Sequence, residues 1–125
     1  MRRGFAAAVL AAVLLVAGAA CGSGDGTGAY TPPTGKPVKT ISVQASSFKF
    51  VPDKIIAPPG ILEFKLTSED IQHSFRIKNV DGFMIEAGGG KTATGKVKLP
   101  AGTYTFYCDI PGHEAAGMKG TLTVK

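Results

Sequence analysis

The strongest constraint on the fold is an alternation of apolar and polar residues that runs through residues 39–125. Apolar side chains recur at every second position in several short stretches, and no window shows the longer period of an amphipathic helix. Alternation with period two is typical of strands that bury one face. The predicted inward positions are Ile41, Val43 and Ala45; Phe48 and Phe50; Leu62, Phe64 and Leu66; Ile71, His73, Phe75 and Ile77; Tyr104, Phe106 and Cys108; and Leu122 and Val124.

Turn-forming residues separate these stretches at regular intervals. A chain of 125 residues has room for one domain at most. Short strands with frequent turns therefore predict an all-β fold, a Greek-key antiparallel β-sandwich. The turn signals are Pro58-Pro59-Gly60, Asp81-Gly82, Gly88-Gly89-Gly90, Pro100-Ala101-Gly102 and Pro111-Gly112.

The N-terminus has the pattern of an export signal. Residues 1–20 begin with Arg2 and Arg3 and continue with an apolar stretch, residues 5–16, which is too short to span a bilayer. We therefore predict a signal peptide over residues 1–20. Small residues directly before Cys21 resemble a bacterial lipobox, in which the cysteine is acylated. The alternative is ordinary cleavage after a small-x-small site, which would leave Cys21 as a thiol.

The segment behind Cys21 is rich in glycine and proline and almost without apolar residues. Such a composition cannot bury enough surface to order itself, so residues 21–38 are predicted to be a flexible tether. The folded domain is then residues 39–125. The signal peptide and an acylated Cys21 together predict a domain outside the cytoplasm, anchored to the outer face of the cytoplasmic membrane.

The charge distribution excludes one class of partner. Lys and Arg number 14 and Asp and Glu number 9, which gives a net charge of +5. Without Arg2 and Arg3 of the predicted signal the excess falls to +3. The remaining lysines are scattered with acids between them, so no basic stripe suggests a nucleic-acid partner.

Four side chains form a candidate metal site. His73 and Cys108 share the apolar phase of their strands, so both should point inward. His113 and Met118 follow Cys108 with the spacing Cys-x4-His-x4-Met, and the chain has no other histidine than these two. Two imidazoles, a thiolate and a thioether suit copper, with the sulfur of methionine as a weak axial ligand.

Simpler interpretations exist for each residue. An inward His73 can be a hydrogen-bonded core residue, and Met118 can be core packing, as we expect for Met84. Cys108 could form a disulfide with Cys21, but acylation would remove that partner. A reduced cysteine in an oxidising compartment favours metal ligation instead.

Residues 106–124, FYCDIPGHEAAGMKGTLTV, resemble the ligand loop and closing strand of the blue copper proteins, the cupredoxins. The ligand spacing is similar to that of auracyanin and rusticyanin, and His73 corresponds to the upstream ligand. Residues 99–104 resemble the turn and tyrosine corner that precede the cysteine strand. Ser74 and Asp109 depart from the residues common in the family. They lie where hydrogen bonds tune the cysteine sulfur, and therefore where the reduction potential is set.

The resemblance implies one type 1 copper with His73 Nδ1, the Cys108 thiolate and His113 Nδ1 in a plane and the Met118 sulfur axial. Because no open position remains for a small-molecule substrate, it implies an electron carrier that cycles Cu(I)/Cu(II) and is not an enzyme. The alternative is an extracytoplasmic copper carrier or storage protein, which would favour Met- or His-rich tracts and an open site.

Small residues surround His113 in the sequence, and they would form an apolar collar suited to brief docking. We therefore expect redox protein partners to dock near His113, with the membrane contacted through the lipid anchor. The collar residues are Pro111, Gly112, Ala115, Ala116 and Gly117.

Overall fold

A computed structural model describes residues 30–125, which form nine strands and no helix. The predicted signal peptide, residues 1–20, and the predicted lipidation site Cys21 lie outside these residues. Within the described range, no helix is long and apolar enough to cross a membrane. The strands are β1 (Lys39–Ser46), β2 (Lys49–Val51), β3 (Lys54–Ala57), β4 (Gly60–Ser68), β5 (His73–Ile77), β6 (Met84–Ala87), β7 (Thr92–Leu99), β8 (Gly102–Tyr107) and β9 (Lys119–Val124).

The strands form two sheets, so the predicted all-β sandwich is confirmed. One sheet has the order β2-β1-β4-β7 and the other the order β3-β9-β8-β5-β6. The pairing is mixed and not wholly antiparallel, because β1 pairs with β4 and β3 with β9 in parallel. After the β1–β2 hairpin the chain crosses to the other sheet as β3. It then returns beside β1 as β4, running in the same direction as β1.

Aromatic rings fill the space between the sheets beneath one end of the sandwich. Phe75 on β5 and Phe106 on β8 stack with their centroids 5.0 Å apart, and both are fully buried. Phe50 meets each of these two rings edge-on, with centroid distances of 5.6 and 5.5 Å. Such packed aromatic contacts stabilise the core beyond the burial of apolar area. They form a rigid apolar floor next to His73, the first residue of β5.

Three apolar side chains with predicted core positions are instead exposed: Phe48 by 45%, Ile71 by 48% and Met84 by 44%. Ile71 precedes β5 in a turn, where its N–H donates to the Asp70 carboxylate and its carbonyl accepts from the Ser68 hydroxyl. The strand alternation therefore starts only at His73. Met84 occupies an outward position of β6, so the prediction of a packing role for it is wrong.

Strands β3, β6 and β7 were not predicted, and their sequences explain why. β3 and β6 have four residues each, too few for a clear alternation. β7 is interrupted by Gly95, where an added Cβ would lie 2.8 Å from Cγ1 of Ile85. The missing side chain is thus what allows β6 of the opposite sheet to pack closely against β7.

The described part of the predicted tether, residues 30–38, contacts the domain. The Tyr30 ring meets Phe83 edge-on with a centroid distance of 5.5 Å. Its hydroxyl donates to the carbonyl of Lys96 on β7 at 2.8 Å. The Val38 N–H donates to the Ile61 carbonyl at 2.8 Å. Because residues 30–38 contact the domain, only residues before Tyr30 could act as the predicted tether.

Candidate metal centre

The four predicted ligands come from two neighbouring strands and the loop between β8 and β9. His73 is the first residue of β5, and Cys108 directly follows β8, which pairs with β5. His113 lies in the loop, and Met118 ends it just before β9. His73, Cys108 and Met118 are fully buried and His113 is 8% exposed, so the structure places all four at the same buried end.

Backbone hydrogen bonds fold the loop so that its ligands converge. The Cys108 N–H donates to the Met118 carbonyl at 3.2 Å, and the Met118 N–H donates to the His113 carbonyl at 3.0 Å. Gly112 and Gly117 have φ values of +85° and +106°, which glycine adopts without steric cost. The loop therefore holds its shape through its own backbone and needs these two glycines to close.

The ligand atoms of His73, Cys108 and His113 all lie within 4.8 Å of one another. Cys108 Sγ is 3.6 Å from His113 Nδ1, and the two imidazole centroids are 5.3 Å apart. Within residues 30–125, His73 Nδ1 is the buried side-chain nitrogen or oxygen that has no hydrogen-bond partner. An unpaired buried nitrogen beside a thiol and a second imidazole fits a metal ligand, and the donor set fits copper.

Ser74 contacts the cysteine sulfur and Asp109 contacts Ser74, so the hydrogen bonds that the resemblance led us to expect at the sulfur run through Ser74. The Ser74 N–H donates to Cys108 Sγ at 3.4 Å, and the Ser74 hydroxyl lies 3.5 Å from the same sulfur. That hydroxyl is also 2.5 Å from Asp109 Oδ1 and accepts from the Asp109 N–H at 2.9 Å. Because a hydroxyl has one proton, the closer carboxylate competes with the sulfur for it. The backbone N–H remains as the steady donor to the sulfur.

Basic side chains pair with two acids of the ligand loop, Asp109 and Glu114. Arg76 contacts Asp109 at 3.0 Å, and Lys78 contacts Glu114 at 2.5 Å. Burial acts to raise the pKa of Asp109, but hydrogen bonds from Ser74 and Arg76 outweigh it, so this pKa lies below its usual value. The hydrogen bond to Glu114 raises the pKa of Lys78. Asp109 and Glu114 thus carry little unpaired charge.

Two residues of the site were missed by sequence reasoning. Asp70 Oδ1 lies 2.7 Å from His73 Nε2. The ring of Phe48, predicted to be a core residue, meets the His113 ring edge-on with a centroid distance of 4.9 Å. An acid three residues before a ligand histidine is a signal that could have indicated Asp70. Nothing in the sequence connects Phe48 with His113, since the two lie in distant segments.

A β-sandwich with a buried His-Cys-His cluster at one end defines the class of small blue copper proteins. The family model for copper binding proteins of the plastocyanin/azurin family matches residues 37–125. The chain therefore belongs to this family, the cupredoxins, and is an electron-transfer copper protein with a type 1 copper as its cofactor.

Individual relatives agree with this assignment. Plastocyanin of Dryopteris crassirhizoma is 33% identical over 98 residues, which cover 66% of this chain and 93% of that plastocyanin. Auracyanin-B of Chloroflexus aurantiacus is 51% identical over 41 residues, which are 33% of this chain and only 17% of auracyanin-B. A solved structure of auracyanin B superimposes with a TM-score of 0.67 at 22% identity, covering 78% of this chain and 96% of auracyanin B.

Proposed function

We propose that this protein is a small extracytoplasmic electron carrier that cycles Cu(I)/Cu(II) at a mononuclear type 1 site made by His73, Cys108, His113 and Met118. The observation that carries the proposal is the convergence of three buried ligand atoms within 4.8 Å, one of them an imidazole nitrogen with no other partner. The fully buried Met118 ends the same loop and supplies the thioether.

The surrounding residues suit this task because they hold the donors before any metal binds. A bound copper ion would supply one-electron redox chemistry. Backbone hydrogen bonds fix Cys108 and Met118, and the Ser74 N–H donates to the cysteine sulfur. The aromatic core below excludes water. Rigid, dry ligands limit rearrangement during electron transfer.

The proposed docking face for redox partners surrounds His113. Its ring is 8% exposed, and exposed small residues of the loop lie around it in the sequence. Because the two acids of the ligand loop, Asp109 and Glu114, pair with basic side chains, the loop around His113 is mostly apolar and weakly charged. A small apolar contact suits brief encounters and fast release. The proposed partners are redox proteins outside the cytoplasm, reached from a lipid-anchored position at Cys21.

The test is the visible spectrum of the copper-loaded protein, with Cys108→Ser as the decisive variant. The wild type should be intensely coloured through thiolate-to-copper charge transfer, and Cys108→Ser should lose this band completely because the serine oxygen cannot replace the thiolate. Cys21→Ser, the matched control, should keep it. An unchanged spectrum in Cys108→Ser would place the site elsewhere. Rapid copper loss to a chelator without a reversible redox couple would favour a copper carrier or storage protein.

A further inference from the structure

Asp70 stands behind His73, on the side of the ring away from the cysteine. Its Oδ1 lies 2.7 Å from His73 Nε2, although His73 is fully buried and the Asp70 side chain is 38% exposed. The other ring nitrogen, Nδ1, has no hydrogen-bond partner and belongs to the ligand cluster. The imidazole therefore bridges a carboxylate at the surface and the predicted metal position in the interior.

The carboxylate determines which nitrogen of His73 carries the proton. Both oxygens of the Asp70 carboxylate face N–H donors, and Oδ1 also faces the His73 ring, so the group acts as an acceptor. An ionised carboxylate accepts hydrogen bonds and cannot donate them. The proton of a neutral His73 must then sit on Nε2, which leaves the Nδ1 lone pair free for a metal.

Asp70 is itself fixed by two backbone donors. The Ile71 N–H donates to Oδ1 and the Ser47 N–H donates to Oδ2, both at 2.8 Å. Ser47 is followed by Phe48, whose ring meets the ring of His113. One carboxylate thus orients His73 directly and also holds the turn whose next residue packs on His113.

We propose that Asp70 is a positioning residue of the metal site, which fixes the tautomer and orientation of His73 and favours the oxidised ion through its negative charge. The inference rests on the proposed function. Carboxylate partners of ligand histidines raise the basicity of the imidazole, and their loss typically costs 10–100-fold in metal affinity. Cu(II) carries one positive charge more than Cu(I), so a nearby anion stabilises Cu(II) more and lowers the reduction potential.

The experiment compares Asp70→Asn with Glu69→Gln by voltammetry of the copper-loaded proteins. Asp70→Asn should weaken Cu(II) binding about tenfold more than Cu(I) binding, which raises the potential by about 59 mV. Glu69→Gln removes the same charge from the adjacent exposed residue, which makes no hydrogen bond to His73 in the described part of the chain. It should shift the potential by far less. Equal shifts in the two variants would overturn the effect assigned to the negative charge of Asp70, and the tautomer measured below tests its positioning of His73.

A second measurement needs no variant and no metal. Nitrogen-15 NMR of the metal-free wild type should show His73 protonated on Nε2, with slow exchange of that proton. A proton on Nδ1 would overturn the proposal, even if Asp70→Asn failed to fold. A wild type that binds no copper would instead contradict the proposed function, and the tautomer would still decide whether Asp70 orients His73.

Discussion

Backbone hydrogen bonds hold Met118 in place whether or not a metal ion is bound. Its N–H donates to the His113 carbonyl and its carbonyl accepts from the Cys108 N–H. The side chain is fully buried and shares one face with Leu122 and Val124 of β9. A substitution at this residue should therefore change the fourth donor while the loop keeps its shape.

Exchange of the thioether at Met118 should shift the reduction potential in opposite directions. Met118→Gln places a harder amide oxygen near the metal, which favours Cu(II), so the potential should fall. Met118→Leu removes the weak donor while keeping a similar volume, and the potential should rise because Cu(II) loses more than Cu(I). Shifts of about 59 mV, a tenfold change in relative affinity, are expected by voltammetry.

Met84→Leu is the control for both variants. Met84 is 44% exposed on the outer face of β6, so its sulfur lies outside the buried cluster. The potential of Met84→Leu should equal that of the wild type. If Met118→Gln left the potential unchanged while Met84→Leu shifted it, the assignment of the axial ligand to Met118 would be wrong.

Sequence reasoning at single residues succeeds where one strand decides the outcome. The alternation of apolar and polar positions correctly places His73 and Cys108 inward, because each belongs to a regular strand or directly follows one. It fails for Phe48 and Ile71, which stand in turns where alternation no longer applies. The contact of Asp70 with Ser47 joins two segments 23 residues apart, so no local pattern could predict it.

At the level of strands, β8 and β9 must come very close to support the ligand loop. They pair in an antiparallel register that sets Phe106 opposite Gly120. An added Cβ at Gly120 would lie 2.2 Å from Cζ of Phe106 and 2.4 Å from the carbonyl oxygen of Asp53. Neither can yield easily, since Phe106 is fully buried in the aromatic core and Asp53 contributes backbone.

Gly120→Ala should therefore destabilise the copper-free protein by about 3 kcal/mol, at the upper end of the cost of overpacking. The measurement is the free energy of unfolding of the wild type and the variant, determined by denaturant titration at equal pH. Gly88→Ala is the matched control, because its added Cβ would meet only the flexible Lys91 side chain at 3.6 Å. A Gly120→Ala protein as stable as Gly88→Ala would show that β8 and β9 can separate without cost.

A strand can be predicted from the sequence when its apolar and polar residues alternate regularly. β1 and β4 are long and alternate regularly, and both were predicted. β7 is equally long but carries Gly95 and few apolar residues, since it lies at an edge of its sheet. The parallel partners of β1 and β3 depend on where the chain crosses between sheets, and strand patterns alone do not contain that information.

For the whole molecule, the site lies at one end of the sandwich and the β7–β8 turn at the other. If partners dock around His113, Ala116→Glu should slow electron self-exchange between Cu(I) and Cu(II) copies, because two like-charged faces must meet. We expect a decrease of about tenfold at low ionic strength that salt reduces. Self-exchange can be measured by NMR line broadening in mixtures of the two redox states.

The matched control is Ala101→Glu in the β7–β8 turn. Ala101 is exposed and lies seven residues before Cys108, at the opposite end of β8. The same added charge at this end should leave self-exchange nearly unchanged. If both variants slowed the reaction equally, net charge and not the face around His113 would govern the encounter.

The attachment of the domain to a membrane is the remaining prediction for the whole molecule. Tyr30 contacts the Phe83 ring and the Lys96 carbonyl, so at most residues 21–29 lie between the predicted anchor and the domain. Nine residues extend at most roughly 30 Å, which would keep an anchored domain close to the bilayer. Cys21→Ser should release the protein from the membrane fraction while the copper spectrum stays that of the wild type.

A single acyl chain binds membranes only marginally, so stable retention requires the two or three chains of a bacterial lipoprotein. Fractionation of cells that express the wild type or Cys21→Ser, followed by detection of the domain, therefore separates the two interpretations of the N-terminus. Mass spectrometry of the N-terminal peptide should show the acylated Cys21 in the wild type. Wild-type protein found wholly in the soluble extracytoplasmic fraction would mean that the signal is cleaved without lipidation and that Cys21 remains a thiol.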